Sequence, residues 1–244
     1  DYDNIVLFDM DGTLTPPRQK FDQTLLKELR ELSSYAKIGI LSGSDLDYIL
    51  EQMEYVINKT ELVYNLHLLP CNGTKWYYPP QNNDAGHTLK HEVDMKSYLG
   101  DAVYNKLVLS ILELQCSVAR HDIPLTGEFV QYRGSMINWC PIGRVASTED
   151  RKRFVEIDSQ TNLRENYLKK LNDKLCVDGL ANNITCALGG DTSFDLYPSG
   201  WDKTYALQHF KKHNVWFVGD RCDENGNDKT IYDTLSVGNR SFKT

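Results

Sequence analysis

Two aspartates with a single residue between them follow the first apolar run of the chain. Asp9 and Asp11 come directly after residues 5–8, in the segment IVLFDMDGTLT. Two ionised carboxylates about 4 Å apart repel each other by about 4 kcal/mol at an effective dielectric constant of about 20. A bound cation would offset this repulsion, and ligands that are all oxygen favour a hard ion such as Mg²⁺. Asp9 is then placed to attack phosphorus as a nucleophile, and Asp11 to exchange a proton with the leaving and accepting oxygens.

Two further apolar runs also end in polar residues. Ser44, a candidate substrate-binding residue, follows the run KIGIL, and Asp220 follows VWFVG. Ligands of open α/β sheets bind outside the carboxyl ends of the strands, so we expect Asp220 to join Asp9 and Asp11 as a magnesium ligand. Lys203 begins a predicted helix after SGWD, where its ammonium group is a candidate for neutralising the attacking carboxylate. The combination predicts phosphoryl transfer through an aspartyl-phosphate.

Each of these features also has a simpler explanation. Aspartates after a strand often cap helices or form turns, and a single lysine is usually solvated. The acidic cluster that begins at Asp220 and ends at Asp228 also fits a calcium loop, but it lacks the spacing of an EF-hand. His87 and His91 form an i, i+4 pair, which we interpret as a polar helix start because no third metal ligand is evident.

The composition narrows the class of protein. The 244 residues carry a formal net charge of -7, which argues against a nucleic-acid partner. No apolar stretch reaches the roughly 20 residues that a membrane-spanning helix needs, so no membrane partner is expected. The 6 cysteines include no CxxC pair, and a chain of this size needs no disulfides to fold, so we expect reduced thiols and a cytoplasmic protein.

Hydrophobic periodicity divides the chain into two parts. Residues 4–56 show strand, helix, strand and helix, with uniformly apolar strands, which is typical of a parallel sheet covered on both faces. Residues 87–200 show a long helix over 98–118, two strands, a charged helix over 148–176 and two more strands, which predicts a small α+β sheet. We therefore predict an α/β fold, in which a Rossmann-like parallel-sheet core (residues 1–82 and 201–244) contains an inserted α+β cap domain (residues 83–200).

Several segments resemble a known family. FDMDGTLT resembles the signature of the haloacid dehalogenase superfamily, whose members transfer phosphoryl groups through an aspartate nucleophile. Four longer segments, DGTLTPPRQK, FVQYRGSMINWCPIGR, SFDLYPSGWDK and GDRCDENGNDKTIY, closely resemble the eukaryotic-type phosphomannomutases. They occur in family order over nearly the whole chain, and the segments in the predicted cap are specific to the mutases.

The resemblance implies a part for each candidate residue. Asp9 would be the nucleophile, Asp11 the general acid and base, and Mg²⁺ would be bound by Asp9, the main-chain carbonyl of Asp11 and Asp220. The family's substrate-binding positions match Arg18, Arg133, Arg144, Arg151, Ser193 and Asp195. The implied reaction interconverts mannose 6-phosphate and mannose 1-phosphate, with a hexose 1,6-bisphosphate as intermediate and activator, and feeds GDP-mannose synthesis. The implied partners are a phosphorylated hexose and a second copy of the chain, bound through the cap in a cytosolic homodimer.

The chain also departs from the family at a few positions. Ser42 stands where the family usually has glycine, and its hydroxyl adds a candidate phosphate donor. Asp191 stands where the family has glutamine, which places another anion near an anionic substrate. Residues 228–233 are shifted relative to a second cation site in relatives, so no second site is assigned.

The arginines of the predicted cap favour a mutase on physical grounds. A bisphosphate intermediate needs a second phosphate site away from the metal, and arginine guanidinium groups fit phosphate well. The alternative for each arginine is surface ion pairing with Glu149, Asp150 or Glu156. Two rival functions stay open at this stage: a Mg²⁺-dependent sugar phosphatase on the same scaffold, and a non-catalytic protein that uses the cap to bind a partner. A binding protein has no need of a repulsive carboxylate cluster, so the intact aspartates favour an enzyme.

Overall fold

The computed structural model describes residues 4–244. Its strands are β1 (Asn4–Phe8), β2 (Lys37–Leu41), β3 (Leu66–Leu69), β4 (Lys75–Tyr78), β5 (Thr88–Glu92), β6 (Val130–Tyr132), β7 (Ile137–Trp139), β8 (Ile184–Gly189), β9 (Ser193–Pro198), β10 (Asn214–Gly219) and β11 (Ser241–Lys243). Its α-helices are α1 (Leu26–Ser33), α2 (Leu46–Gln52), α3 (Glu54–Lys59), α4 (Met95–Leu99), α5 (Asp101–Val118), α6 (Thr148–Thr161), α7 (Leu163–Val177) and α8 (Lys229–Ser236). Short 3-10 helices cover Glu61–Asn65, Cys71–Gly73 and Lys203–Phe210.

The described chain separates into two compact units. The first unit contains the residues up to Glu92 and those from Trp201 onward, and the second unit is Val93–Gly200. The boundary predicted from the sequence lies nearer the amino terminus, at residue 83. The difference arises because β5 pairs antiparallel with β4 and so belongs to the sheet of the first unit.

The first unit is built on a seven-stranded sheet in the order β11-β10-β1-β2-β3-β4-β5. The strands from β11 to β3 run parallel to their neighbours, and β4 and β5 are antiparallel additions at one edge. Successive side chains of a strand point to opposite faces, and the neighbours Ile40 and Leu41 pack in two different apolar clusters. Both faces of the sheet are therefore covered, which explains the unbroken apolar runs and confirms the predicted parallel-sheet α/β core.

Three neighbouring strands place the candidate residues at one edge of this sheet. β10, β1 and β2 are adjacent, and Asp220, Asp9 and Ser42 follow their carboxyl ends. The backbone N–H of Asp9 still donates to the carbonyl of Val218 at 2.9 Å, which extends the β1–β10 ladder by one residue. Residues from distant parts of the sequence are thus brought together by strand order alone.

The second unit is a four-stranded antiparallel sheet in the order β6-β7-β9-β8, with helices α4 to α7. Its centre is fully buried, and the ring of Trp139 on β7 stacks on that of Phe194 on β9 with 4.6 Å between ring centroids. The α+β cap sheet predicted from the sequence is present as a separate sheet.

The two long helices predicted in this unit are each interrupted. Gly100, with φ +80°, separates α4 from α5, and Asn162, with φ +52°, separates α6 from α7. Both residue types tolerate the left-handed backbone conformation, so a one-residue break costs little and hardly disturbs the hydrophobic periodicity. Within residues 4–244, no helix combines the length and the apolar character that crossing a bilayer requires.

The interpretation of His87 and His91 as a helix start is wrong. His91 lies in β5, where its Nε2 is 2.7 Å from the hydroxyl of Tyr205, and His87 Nε2 is 2.8 Å from the carbonyl oxygen of Leu66. Each imidazole therefore has a hydrogen-bond partner within the first unit. The alternation of a short strand was hidden by its mostly exposed, polar residues.

The stability of the first unit should depend on pH through His67. This side chain is 3% exposed, accepts a hydrogen bond from Trp76 Nε1 at 3.0 Å, and burial lowers its pKa to about 3. The unfolded chain, with a histidine pKa of about 6.5, binds this proton at a pH where the folded protein does not. The contribution of His67 to the free energy of unfolding is therefore fully present above the unfolded pKa of about 6.5. It is lost as the pH falls toward the folded pKa, by about 2 kcal/mol at pH 5.

We expect His67→Asn, whose amide oxygen can still accept from Trp76, to reduce this loss between pH 7 and pH 5. Urea unfolding followed by tryptophan fluorescence measures the difference at the two pH values. His121→Asn in the second unit is the control and should retain the wild-type difference. An unchanged pH dependence in His67→Asn would show that other groups cause the loss.

Candidate active site

The loop after β1 is a tight turn around one carbonyl. The carbonyl oxygen of Met10 accepts from the backbone N–H groups of Thr13, Leu14 and Thr15 at 3.0–3.1 Å, and Gly12 N–H donates to Thr15 O at 2.8 Å. Met10 and Leu14 are buried, so the turn is anchored in the apolar core. This anchoring fixes the backbone that carries the two aspartates of the motif.

Asp9 forms a buried ion pair with Lys203. The ammonium nitrogen of Lys203 lies 2.6 Å from Asp9 Oδ1 and 2.6 Å from Asp228 Oδ1, and all three residues are buried. Lys203 begins a 3-10 helix whose amino terminus is capped by Asp202, which accepts from Thr204 N–H at 2.8 Å. The structure thus brings Lys203 to Asp9, as the sequence predicted, but adds a second carboxylate.

Asp228 was not distinguished from its acidic neighbours in the sequence. It is fully buried, and its Oδ2 accepts from Arg221 N–H at 3.1 Å while its Oδ1 accepts from Lys203. Asp223, by contrast, is 80% exposed at its side chain and pairs with Lys243. The composition of the segment shows only an acidic loop, since burial of one member depends on the adjacent strand.

Asp220 completes a set of three carboxylates. One oxygen from each of Asp9, Asp220 and Asp228 lies within 4.8 Å of the others. A Cβ atom on Gly12 would lie 2.2 Å from Asp220 Oδ2, so only glycine allows the loop and this carboxylate to approach so closely. The expected approach of position 220 to the Asp9 loop is therefore observed.

The donor set fits a hard divalent cation. Two of the three clustered carboxylates, Asp9 and Asp228, share the ammonium group of Lys203, and the buried oxygen Asp220 Oδ1 has no hydrogen-bond partner among the described residues. Both oxygens of Asp228 already accept hydrogen bonds, so Asp9 and Asp220 are the better candidates for side-chain ligands. The main-chain carbonyl of Asp11, a ligand implied by the family resemblance, stays a prediction.

The pKa values of Asp9 and Lys203 also indicate that a further positive charge is needed to ionise Asp9. Burial raises the pKa of Asp9 to about 8, although Lys203 opposes the shift, and the charge of Asp228 adds to it. Burial favours a neutral Lys203, but the charges of Asp228 and Asp9 outweigh it and raise the pKa of the lysine. A cation beside Asp220 would favour the ionised Asp9 that nucleophilic attack requires.

The side chain of Asp11 accepts a hydrogen bond from Tyr48, which lies outside the Lys203 cluster. Tyr48 donates its hydroxyl hydrogen to Asp11, with the phenol oxygen 3.0 Å from each carboxylate oxygen. The backbone N–H of Arg18 donates to Asp11 Oδ1 at 3.2 Å, and Arg18 itself is exposed with φ +59°. Burial and the charge of Asp11 raise the pKa of Tyr48, so the phenol stays protonated and acts as a donor. Tyr48 was not among the residues predicted from the sequence.

Ser44 lies in the loop after β2. Its backbone N–H donates to Ser42 Oγ at 3.0 Å, and its carbonyl oxygen accepts from Cys71 N–H at 2.9 Å. Asp45 then caps α2 by accepting from Leu46 N–H at 2.7 Å. These contacts hold the loop at the edge of the sheet where Asp9 also lies.

Five of the seven predicted substrate-binding residues lie in the second unit, and two of these, Ser193 and Asp195, lie on β9. Asn138 on β7 donates to Asp195 Oδ1 on β9 at 2.8 Å and accepts from Arg144 Nη1 at 2.8 Å. Asn138, which was not predicted from the sequence, links an arginine and an aspartate that are far apart in the chain. Arg133 lies just after β6, where its Nε donates to Gln131 at 2.9 Å. Ser193 begins β9 and is buried.

Arg151 is largely engaged within its own unit. Its guanidinium donates to Thr192 Oγ1 at 3.0 Å, to the carbonyl of Arg144 at 2.9 Å and to that of Ala146 at 3.3 Å. Asp150, one of the acids considered as an ion-pair partner for the arginines, instead accepts from Ser147 in the capping box of α6. Arg151 therefore orders the segment that carries Arg144.

We expect Gly12→Ala to weaken metal binding, because the new methyl group must displace the Asp220 carboxylate. The affinity for Mg²⁺ should fall at least about tenfold, measured by titration calorimetry. Gly100→Ala is the matched control, since Gly100 has φ +80° against +82° for Gly12 but nothing within 4 Å of its added Cβ. Both variants carry backbone strain, and only Gly12→Ala should bind Mg²⁺ more weakly. Equal Mg²⁺ affinities in the two variants would rule out the steric explanation.

Comparison with known proteins identifies close relatives. The chain matches the family model for eukaryotic phosphomannomutase over residues 25–242. A phosphomannomutase of Encephalitozoon cuniculi is 36% identical over 248 residues, which cover 98% of this chain and 90% of that protein. A phosphomannomutase of Saccharomyces cerevisiae is 35% identical over 245 residues, which cover 97% of this chain and 88% of that protein.

A solved structure shares the fold. A haloacid dehalogenase-like hydrolase from Bacteroides thetaiotaomicron superposes with a TM-score of 0.55, over 95% of this chain and 85% of that chain. The two sequences are 13% identical, so this likeness concerns the fold alone. The fold and the sequence relatives agree with the resemblance found in the motifs.

Proposed function

Because the chain belongs to the eukaryotic phosphomannomutase family, we propose that it interconverts mannose 6-phosphate and mannose 1-phosphate. The observation that carries this proposal is the position of Asp9. Its carboxylate is paired with a buried ammonium group and lies beside Asp220, at the carboxyl ends of adjacent parallel strands. A carboxylate in this setting is suited to accept and pass on a phosphoryl group.

The proposed reaction has two transfers. In the first, Asp9 bonds to a phosphorus of the hexose 1,6-bisphosphate while the bond from that phosphorus to the sugar oxygen breaks, and Asp11 donates a proton to that oxygen, so a hexose monophosphate leaves. In the second, Asp11 takes a proton from the acceptor hydroxyl, which bonds to phosphorus as the Asp9–phosphorus bond breaks. The acceptor in the second transfer is a hexose monophosphate, so the product is a hexose 1,6-bisphosphate.

The remaining residues of the first unit support these transfers electrostatically. Lys203 neutralises Asp9 and is itself held by Asp228. Mg²⁺, held by Asp9, Asp220 and the main-chain carbonyl of Asp11, would supply positive charge to the transferring group. Arg18 and Ser44 are proposed to contact the substrate.

The second unit supports a mutase in preference to a phosphatase. A mutase must hold a phosphate that is not being transferred, and arginine guanidinium groups fit phosphate well. Arg133 and Arg144 are the proposed phosphate-binding arginines, and Arg151 is proposed to support them. Asp195 and Ser193 are proposed to bind sugar hydroxyls. Asn138, which bonds both Arg144 and Asp195, would fix their relative position.

Three further features are proposed from the family. A hexose 1,6-bisphosphate would activate the enzyme by phosphorylating Asp9, and the product would enter GDP-mannose synthesis in the cytoplasm. The chain would form a homodimer through the second unit, where Leu109 and Leu112 of α5 expose 59% and 45% of their surface. Sedimentation analysis tests the dimer.

The decisive experiment for the function follows the sugar phosphates themselves. The protein is incubated with mannose 1-phosphate, Mg²⁺ and a catalytic amount of hexose 1,6-bisphosphate, and phosphorus NMR follows the products. We expect mannose 6-phosphate to accumulate with little free phosphate. Steady release of free phosphate without mannose 6-phosphate would establish the rival sugar phosphatase. A parallel reaction with glucose 1-phosphate measures the sugar preference.

A further inference from the structure

The two oxygens of the Asp11 carboxylate have unequal surroundings. Oδ1 accepts from the backbone N–H of Arg18 at 3.2 Å and is 3.0 Å from the Tyr48 hydroxyl. Oδ2 is approached by the same hydroxyl, also at 3.0 Å. The two oxygens share the single hydrogen of Tyr48, and Oδ1 also accepts from Arg18, which leaves Oδ2 with the greater capacity to exchange a proton with a substrate.

The position of the Tyr48 hydroxyl is determined by the fold. Tyr48 lies in α2, which begins directly after the loop at the end of β2, and β2 is the neighbour of β1. Its ring packs against the apolar cluster that contains Ile49 and Met53. Because the ring is held by this packing, the hydroxyl stays in one place relative to the loop that carries Asp11.

The positive charge of Lys203 would also attract the Asp11 carboxylate. It is two residues from Asp9, which lies in the buried cluster with Lys203, and a freely rotating carboxylate would be drawn toward the same positive charge. Among residues 4–244, however, the close carboxylate set contains Asp9, Asp220 and Asp228 and does not include Asp11. The hydrogen bond to Tyr48 keeps the Asp11 side chain apart from that cluster.

We propose that Tyr48 is a positioning residue for proton transfer by Asp11, an inference that rests on the function proposed above. The Tyr48 hydroxyl bridges the two carboxylate oxygens and the Arg18 N–H holds Oδ1, so that Oδ2 carries the proton that the departing sugar oxygen receives when Asp9 bonds to phosphorus. In the reverse direction Oδ2 takes the proton of the acceptor hydroxyl. Tyr48 keeps its own proton throughout and acts only through the Asp11 carboxylate.

The test is Tyr48→Phe, which removes the hydroxyl and keeps the packed ring. The rate of Asp9 phosphorylation is measured in single turnover with two donors: a hexose 1,6-bisphosphate, whose leaving oxygen needs a proton, and 4-nitrophenyl phosphate, whose leaving group is stable as an anion. We expect the rate with the hexose donor to fall about 10- to 100-fold, and that with the aryl donor to fall less than about threefold. The KM for the hexose donor should stay within about twofold.

Two further variants serve as a control and a comparison for Tyr48→Phe. Tyr55→Phe is the matched control, because Tyr55 packs on the same apolar cluster from α3, and it should leave both rates unchanged. Asp11→Asn should show the same dependence on the leaving group, with a larger loss. Equal slowing of Tyr48→Phe with both donors, or no slowing at all, would overturn the inference. If the wild type does not use the aryl donor, the test is made with the hexose donor alone. A lower kcat of Tyr48→Phe at unchanged KM then supports the inference, and a change in KM alone overturns it.

The outcome for Tyr48 is separable from the outcome for the mutase. If the wild type hydrolyses the hexose donor and forms no isomerised sugar phosphate, the proposed function fails. The comparison of donors still decides the part played by Tyr48, because the phosphorylation of Asp9 is the first step of either reaction.

Discussion

Replacing Asp9 with asparagine is expected to reduce turnover of mannose 1-phosphate by at least about 10⁴-fold, because an amide is a poor nucleophile toward phosphorus. The change keeps the shape of the side chain and one oxygen that can accept from Lys203. The loss should therefore appear in kcat, with the fold and the buried lysine retained. Steady-state kinetics and the thermal unfolding midpoint measure the two effects.

Two companion variants make the Asp9 result interpretable. Asp9→Ala should be equally inactive, and it cannot revert to aspartate by hydrolysis. Asp47→Asn, on the exposed side of α2, is the control for removing one acidic charge and should retain full activity. Residual activity above about 1% in Asp9→Ala would mean that another group carries the phosphoryl transfer.

Lys203→Met is expected to have the largest effect on stability. The substitution leaves the buried carboxylates of Asp9 and Asp228 without their shared ammonium group. Removing one partner of a buried ion pair costs about 3–5 kcal/mol, and the loss of positive charge at the nucleophile should lower kcat about 10²–10³-fold. Urea unfolding in the presence of a chelator measures the free energy without a contribution from bound metal.

A second substitution separates charge from packing at this position. Lys203→Met combined with Asp228→Asn removes one of the two unpaired charges, and it should recover part of the lost stability but not the activity. Lys20→Met is the surface control, since the Lys20–Glu54 pair has both side chains more than half exposed and should contribute little. A Lys203→Met variant as stable as Lys20→Met would show that the buried pair does not stabilise the fold.

The sequence predicted the framework of the site because buried strands, and the polar residues that follow them, have simple patterns. Uniformly apolar runs indicated buried parallel strands, and polar residues at their ends indicated the edge at which Asp9 and Asp220 meet. Lys203, at the start of a predicted helix after SGWD, was a candidate for neutralising Asp9 only in combination with the aspartate motif. These predictions depend on local composition and on general rules of sheet topology.

The partners of these residues could not be predicted, because they depend on burial and on contacts distant in sequence. Nothing in an acidic loop distinguishes the buried Asp228 from the exposed Asp223. The Tyr48 hydroxyl reaches Asp11 only because α2 follows the strand next to β1, and Asn138 reaches Asp195 only through the pairing of β7 with β9. The interruption at Gly100 was hidden because the apolar repeat continues on both sides.

The most direct measurement of the central claim is the chemical identity of the phosphorylated enzyme. The protein is mixed with hexose 1,6-bisphosphate and Mg²⁺, quenched in acid within one turnover, digested and analysed by mass spectrometry. We predict one additional phosphoryl group on the peptide that contains Asp9, located at that carboxylate, and its disappearance when mannose 1-phosphate is added before the quench. A phosphoryl group on any other residue, or complete turnover with none on Asp9, would contradict the account.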